Sequence, residues 1–380
     1  RELLKLAAAP EMISFAGGLP APELFPLEQV REAAAHVLQH CGSRALQYGE
    51  TEGLADLRDW IAARFSSKGL DVRRANVLIV SGGQQALDLI GRVFLDPGDQ
   101  VVVENPTYLA LLSAWRPLGV EFLPVQSDGS GICLDSLTRA LEHRPKLVYC
   151  VPNFQNPQGT TLAADRRQPI VELARQHETV LVEDNPYGEL RYDGESLPHL
   201  MEIASQSANV PSSGLYVGTF SKILVPGLRV GWIIGPEPVI DKLVQCKQAA
   251  DLHTSTFNQY LILELVRSGL LMHHLPKLQQ AYRERRDAML AALHKYFPSG
   301  ITWTHPAGGM FLMVTLPAHM DARELLAWAL KRNVAFVPGE EFHLHHAGRN
   351  TFRLNFTNAT PARIHEGVRR LGETIGANIA

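Results

Sequence analysis

The chain has 380 residues, 46% of them apolar and 20% charged, enough for one large domain and a smaller companion. A formal net charge of −3, with no block of like charges, excludes the basic stripe of a nucleic-acid binder. No apolar stretch approaches the ~20 residues that cross a bilayer, and Arg1 to Leu6 has neither the long apolar segment nor the small-residue cleavage site of a secretory signal.

Short β-rich apolar runs alternate with helical patterns, which predicts an α/β fold with a mostly parallel sheet and helices on both faces. The predicted strands are 77–80, 100–104, 121–125, 146–151, 179–183, 215–218 and 229–234, with helices such as 84–95, 135–142 and 164–176 between them. Asp96-Pro97-Gly98-Asp99, Asn105-Pro106 and Asn156-Pro157-Gln158-Gly159 punctuate the joins. From about Pro236 long helical stretches take over, at 242–249, 256–268 and 271–297. A smaller α+β unit follows, with strands near 301–304, 310–315, 334–337 and 351–356, a helix at 322–331 and another at the C-terminus. We expect residues 1–43 to pack back on the small domain, 44–270 to form the large domain and 271–380 the small one. The chain does not open on Met, so residues upstream of Arg1 are expected.

In open α/β sheets ligands sit outside the carboxyl ends of the strands, and four polar strand ends stand out. Ser81-Gly82-Gly83-Gln84 follows Val80 and opens a helix, where free amides and the helix dipole favour a phosphate; a plain tight turn explains it equally well. Pro152 to Gly159 follows Val151 as a rigid polar loop, for which turn chemistry alone suffices. Asp184 follows an apolar strand and reads either as a helix cap or as a buried carboxylate in need of a cationic partner. Lys222 follows Val217 in Gly218-Thr219-Phe220-Ser221-Lys222, with Arg229 seven residues on. A random lysine is solvated, but desolvation here would lower its pKa and make a usable amine nucleophile. Together these are the parts a pyridoxal 5'-phosphate site needs: a phosphate nest, an acid for the ring nitrogen and a Schiff-base lysine.

With these residues in place the whole chain resembles the fold-type I, class I/II aminotransferases, nearest to the group of 2-aminoadipate and kynurenine aminotransferases. The resemblance runs from Phe15-Ala16-Gly17-Gly18-Leu19-Pro20 to Arg353-Leu354-Asn355-Phe356, through Tyr48-Gly49, Gly83-Gln84, Asn156-Pro157, Asp184-Asn185-Pro186-Tyr187, Ser221-Lys222 and Arg229. It implies a large cofactor-binding domain built on a seven-stranded sheet, and transfer of an amino group from an amino acid to a 2-oxo acid such as 2-oxoglutarate by a ping-pong mechanism. Lys222 would form the Schiff base and shuttle the proton, Asp184 would keep the pyridinium nitrogen protonated, and Tyr187 and Asn156 would bond the ring 3'-oxygen. Tyr108 would stack on the ring. The phosphate would meet Gly83, Gln84, Thr219, Ser221 and Arg229, while Arg353, with Gly18 and Asn156 nearby, would clamp the substrate α-carboxylate. Tyr48 would complete the neighbouring site of a homodimer, and Arg1 would reach the distal carboxylate of acidic substrates unless it is simply a solvated terminal charge. Gly83 departs from the family pattern, in which a Ser is frequent.

Other features are bland. His343, His345 and His346 match no zinc spacing, so no metal is expected. Met310-Phe311-Leu312-Met313 reads as a core strand. Cys41, Cys133, Cys150 and Cys246 lie far apart with no CxxC pair, as reduced, mostly buried thiols of a cytoplasmic protein would. Two other readings share the fold: a cofactor-dependent lyase or decarboxylase, and the aminotransferase-like part of a transcription regulator.

Overall fold

The computed structural model describes residues 11–67, 70–205, 214–345 and 347–378. Seven strands form the main sheet: β1 (Val77–Val80), β2 (Gln100–Glu104), β3 (Glu121–Val125), β4 (Leu147–Cys150), β5 (Val180–Asp184), β6 (Leu215–Thr219) and β7 (Gly231–Ile234). Their order is β1-β7-β6-β5-β4-β2-β3, parallel except that β7 runs against both its neighbours. The inner strands are apolar without alternation because helices cover both faces; Val101, Val102 and Val103 of β2 are all 0% exposed. Pro124 is tolerated because β3 is an edge strand, where a missing ladder donor costs nothing.

Two predicted boundaries are corrected. The strand expected from Arg229 begins only at Gly231. Arg229 instead takes a left-handed conformation, φ 53°, at the end of a short 3-10 turn, and its guanidinium folds back on the Ser81 carbonyl. The strand expected over 334–337 is two pieces. Val334–Ala335 pairs with Ile13–Ser14, whereas Val337–Pro338 (β10) joins a separate antiparallel sheet with β8 (Thr302–Trp303), β9 (Phe311–Thr315) and β11 (Thr351–Asn355), in the order β8-β9-β11-β10.

The N-terminal segment is thereby tied to this second sheet, and Asn355 N–H also donates to the Phe15 carbonyl at 2.8 Å. The next helix, α1 (Leu27–Ala45), lies instead on the helix Thr256–Arg267, where Ala33 packs with Leu261 and Leu265. A long helix, Leu270–Tyr296, links distant segments by polar contacts: Arg285 bonds Glu23 and the Thr357 carbonyl, and Arg286 bonds Asp193 and the Pro306 carbonyl. The four cysteines are free, but only Cys150 is buried; Cys41, Cys133 and Cys246 are half-exposed, which corrects the expectation of mostly buried thiols. No helix among the described residues is long and apolar enough to cross a membrane, and no cluster of metal-ligating side chains occurs among them.

Candidate active site

Because β2, β4, β5 and β6 run in parallel and β1 runs with them, their carboxyl ends share one edge of the sheet. Gly231 of β7 pairs with Val80 on one side and Thr219 on the other, so the turns that follow β1 and β6 are neighbours. The first turn leads into helix α2 (Gly83–Phe94). Gly82, its N-cap, has φ +87°, and a Cβ there would lie 2.5 Å from Arg229 Nη2, so only glycine lets the arginine approach. Of the first amides of α2, those of Gln85 and Ala86 reach the Gly82 carbonyl. Those of Gly83 and Gln84 have no intrahelical acceptor. Beside them Thr219 Oγ1 donates to Ser221 Oγ at 2.9 Å and accepts from the Ser221 amide at 3.1 Å.

Lys222 is part-buried, and its ammonium donates to the Gly18 carbonyl at 2.8 Å. Loss of water around it, with the Arg353 and Arg229 charges, lowers its pKa from 10.5 to about 8. Asp184 closes β5, and its carboxylate accepts from the Tyr149 hydroxyl at 2.7 Å. Burial pushes its pKa from 3.8 up to about 7, opposed only by that hydrogen bond. Asp184 therefore ends a strand rather than capping a helix, and the expected cationic side chain is not found for it among the described residues. Tyr187 is buried, its phenol pushed above the ordinary range by burial, and it lies 3.5 Å from Asn156 Nδ2. Tyr108 is half-buried; its phenol is raised to about 12 by burial and then by the Asp184 charge, with Arg353 and Arg229 acting the other way.

Arg353 reaches the same place from β11. Its Nη1 donates to Asn156 Oδ1 at 2.7 Å and its Nη2 to the Ala16 carbonyl at 2.6 Å, while the buried Nε has no partner among the described residues. The guanidinium lies 4.1 Å from the Phe311 ring centroid and 4.8 Å from that of Phe342. Burial lowers its pKa to about 10, so it stays cationic at neutral pH.

The structure thus brings Gly18, Gly83, Gln84, Tyr108, Asn156, Asp184, Tyr187, Thr219, Ser221, Lys222, Arg229 and Arg353 to one edge of the main sheet. Tyr48 is apart from them: it is 78% exposed and meets the His253 ring edge-on. Arg1 lies outside the described residues. Sequence reasoning missed three side chains. Tyr149 sits inside the strand Leu147–Cys150, and the one available signal was a hydroxyl in an otherwise apolar run. Phe311 reads as core and Phe342 carries no signal in the sequence, although both rings lie against the Arg353 guanidinium.

These residues fit pyridoxal 5'-phosphate at both ends. Two free amides at a helix N-terminus, two hydroxyls and a guanidinium suit a dianionic phosphate. A buried carboxylate bonded only to a phenol is costly unless a cation joins it, which a protonated ring nitrogen does.

The family model for class I and II aminotransferases matches residues 11–371. An aromatic-amino-acid aminotransferase of Thermococcus litoralis is 45% identical over 99% of this chain and 90% of its own length. A Pyrococcus horikoshii kynurenine aminotransferase structure superposes with a TM-score of 0.94 at 43% identity, covering 100% of this chain and 94% of that one. An α-aminoadipate aminotransferase from Thermus thermophilus, complexed with N-(5'-phosphopyridoxyl)-L-leucine, gives 0.93 at 43% identity, covering 99% and 94%. The chain belongs to the class I and II aminotransferases.

Proposed function

We propose that this protein transfers an amino group from an amino acid to a 2-oxo acid such as 2-oxoglutarate, with pyridoxal 5'-phosphate as cofactor. One observation carries the reading: a lysine of lowered pKa, a buried carboxylate without a basic partner and a phosphate-type turn meet on the same sheet edge, facing a buried arginine. When bound, the cofactor supplies an aldehyde that condenses with amines and a ring that takes up the electrons left on the substrate α-carbon.

Gly83, Gln84, Thr219, Ser221 and Arg229 are assigned to the phosphate. Asp184 would keep the ring nitrogen protonated, and Tyr149 orients that carboxylate through its 2.7 Å bond. Tyr187 and Asn156 are assigned to the ring 3'-oxygen and Tyr108 to the ring face. Lys222 Nζ, its pKa lowered to about 8, would take the proton from the substrate α-carbon and later give it back. Arg353, held against the Phe311 and Phe342 rings, would present a fork to the substrate α-carboxylate and so aim the α-hydrogen at Lys222. The carbonyls of Ala16 and Gly18 hold the two cations in the meantime.

The finer assignments follow the same reading. Exposed Tyr48 sits with exposed Leu27, Leu38 and Leu46 along and just beyond α1, a surface suited to a second copy of the chain, so Tyr48 is assigned to the neighbouring site of a homodimer. Arg1 is assigned to the far carboxylate of acidic donors. Residues 44–270 and 271–380 are taken as the two domains, and the unpaired thiols fit a cytoplasmic location.

A donor screen with 2-oxoglutarate, read by the absorbance of the two cofactor forms, tests the function. Acidic, aromatic and branched-chain amino acids should each be compared. A cofactor that changes form with a donor and returns only when an oxo acid is added is the expected result. Return without an oxo acid would point to a lyase or decarboxylase and overturn the reading.

A further inference from the structure

The turn that presents Gly83 and Gln84 is fastened from behind by a charged relay that the chemistry above does not use. Lys247, on the helix Glu237–Asp251, is 0% exposed. Its ammonium donates to Asp251 Oδ1 at 2.7 Å and to Gln85 Oε1 at 2.9 Å. Gln85 is held at both ends of its amide: Oε1 also accepts the Ser81 N–H at 2.7 Å, and Nε2 donates to Asp251 Oδ2 at 2.7 Å. Ser81 Oγ donates to the same Asp251 oxygen at 3.1 Å and lies 3.2 Å from Thr254 Oγ1. On its other side the Ser81 carbonyl accepts Arg229 Nη2 at 3.1 Å. The residue that leads into the phosphate turn is therefore gripped at its N–H by the relay and at its C=O by the phosphate arginine.

An ion pair between a buried lysine and a partly exposed aspartate is a poor way to gain stability, since the lysine's loss of water offsets much of the attraction. What it does supply is direction: Gln85 Oε1 and Asp251 Oδ2 each accept two bonds, which fixes where both side chains point. Lysine and aspartate together add no net charge near the phosphate, so their effect on it is one of placement.

We propose that Lys247, Gln85 and Asp251 are positioning residues of the phosphate site, setting the direction in which the Gly83 and Gln84 amides point. The inference rests on the reading that this turn takes the cofactor phosphate. Loss of the relay weakens the grip on the phosphate and leaves the grip on the ring.

The test compares the affinity of the cofactor-free protein for pyridoxal 5'-phosphate with its affinity for pyridoxal, which lacks the phosphate. Both aldehydes react with Lys222 alike, so the ratio of the two dissociation constants isolates the phosphate contacts. Gln85→Met and Lys247→Met should each cut the preference for the phosphorylated form by about ten-fold or more, as losing aligned bonds to a charged group does. Pyridoxal affinity should change little. The double variant should fall little below the worse single one, because both act through the same turn. Gln85→Met leaves the Lys247–Asp251 pair intact, so it decides the matter if removal of the buried charge prevents folding. A native preference retained in the variants, or an equal loss for both aldehydes, overturns the positioning role. A native protein that does not prefer the phosphorylated aldehyde would instead overturn the cofactor reading beneath it.

Discussion

Replacing Asp184 by asparagine should stabilise the cofactor-free protein and destabilise the loaded one. Burial raises the carboxyl from 3.8 to about 7. Between those two values the native state keeps a proton that the unfolded chain has released, so stability falls as pH rises through that window, and the full cost is present above about pH 7. At about 1.4 kcal/mol per unit the cost reaches about 4 kcal/mol. Asparagine keeps the shape and an acceptor for the Tyr149 hydroxyl, but does not titrate. The advantage of Asp184→Asn over the native chain should therefore grow by about 3 kcal/mol between pH 5 and pH 8. For a 380-residue chain that is about 3–4 °C in Tm. Thermal melts of both proteins, stripped of cofactor, at several pH values measure it. With pyridoxal 5'-phosphate added the order should reverse, because the ring nitrogen gives the native carboxylate the cation it lacks. A difference in Tm that does not grow with pH in the stripped proteins would refute the argument that Asp184 is held in a site built for a cation.

Four further outcomes are expected. Lys222→Ala should still bind pyridoxal 5'-phosphate through the phosphate turn but turn over negligibly; an alanine variant with most of the native transaminase rate would remove Lys222 from the mechanism. The same lysine has its pKa lowered to about 8, so its burden on the stripped protein is present below about pH 8 and is relieved as pH rises toward 10.5; melts of Lys222→Met against the native chain should converge over that range. Arg353→Lys should lower kcat/KM for amino acids by about ten-fold or more through loss of the two-pronged grip, with little change for amines that lack an α-carboxylate; equal losses for both would contradict the carboxylate assignment. Arg1→Ala in the full-length protein should lower kcat/KM for glutamate and 2-aminoadipate by roughly ten-fold or more and leave aromatic and aliphatic donors nearly unchanged; equal losses for glutamate and leucine would show that Arg1 only supports the fold.

The seven strands of the main sheet, most of the helices and the polar residues at the strand ends were legible in the sequence. The reason is local: a strand covered on both faces must be an unbroken apolar run, and the turn that ends it must be polar, so Val80-Ser81, Val182-Glu183-Asp184 and Val217-Gly218-Thr219 announce themselves within a few residues. Arg229 was misplaced in a strand because its left-handed backbone follows from a contact with Ser81, which is 148 residues away.

The order of polar turns and the resemblance they carry were thus determined by the sequence alone. Only the tertiary structure decided who faces whom. Tyr149 looks like core until the pairing of β4 with β5 sets its hydroxyl 2.7 Å from Asp184. Phe311 looks like core and Phe342 carries no signal until Arg353 lies against both rings. Lys247 looks like one more helix lysine until folding removes it from water and gives it Gln85, 162 residues away, as a partner. Side-chain partners at that separation leave no periodicity in the chain, because what selects them is the shape of the packed interior and the cost of leaving a buried polar group unpaired.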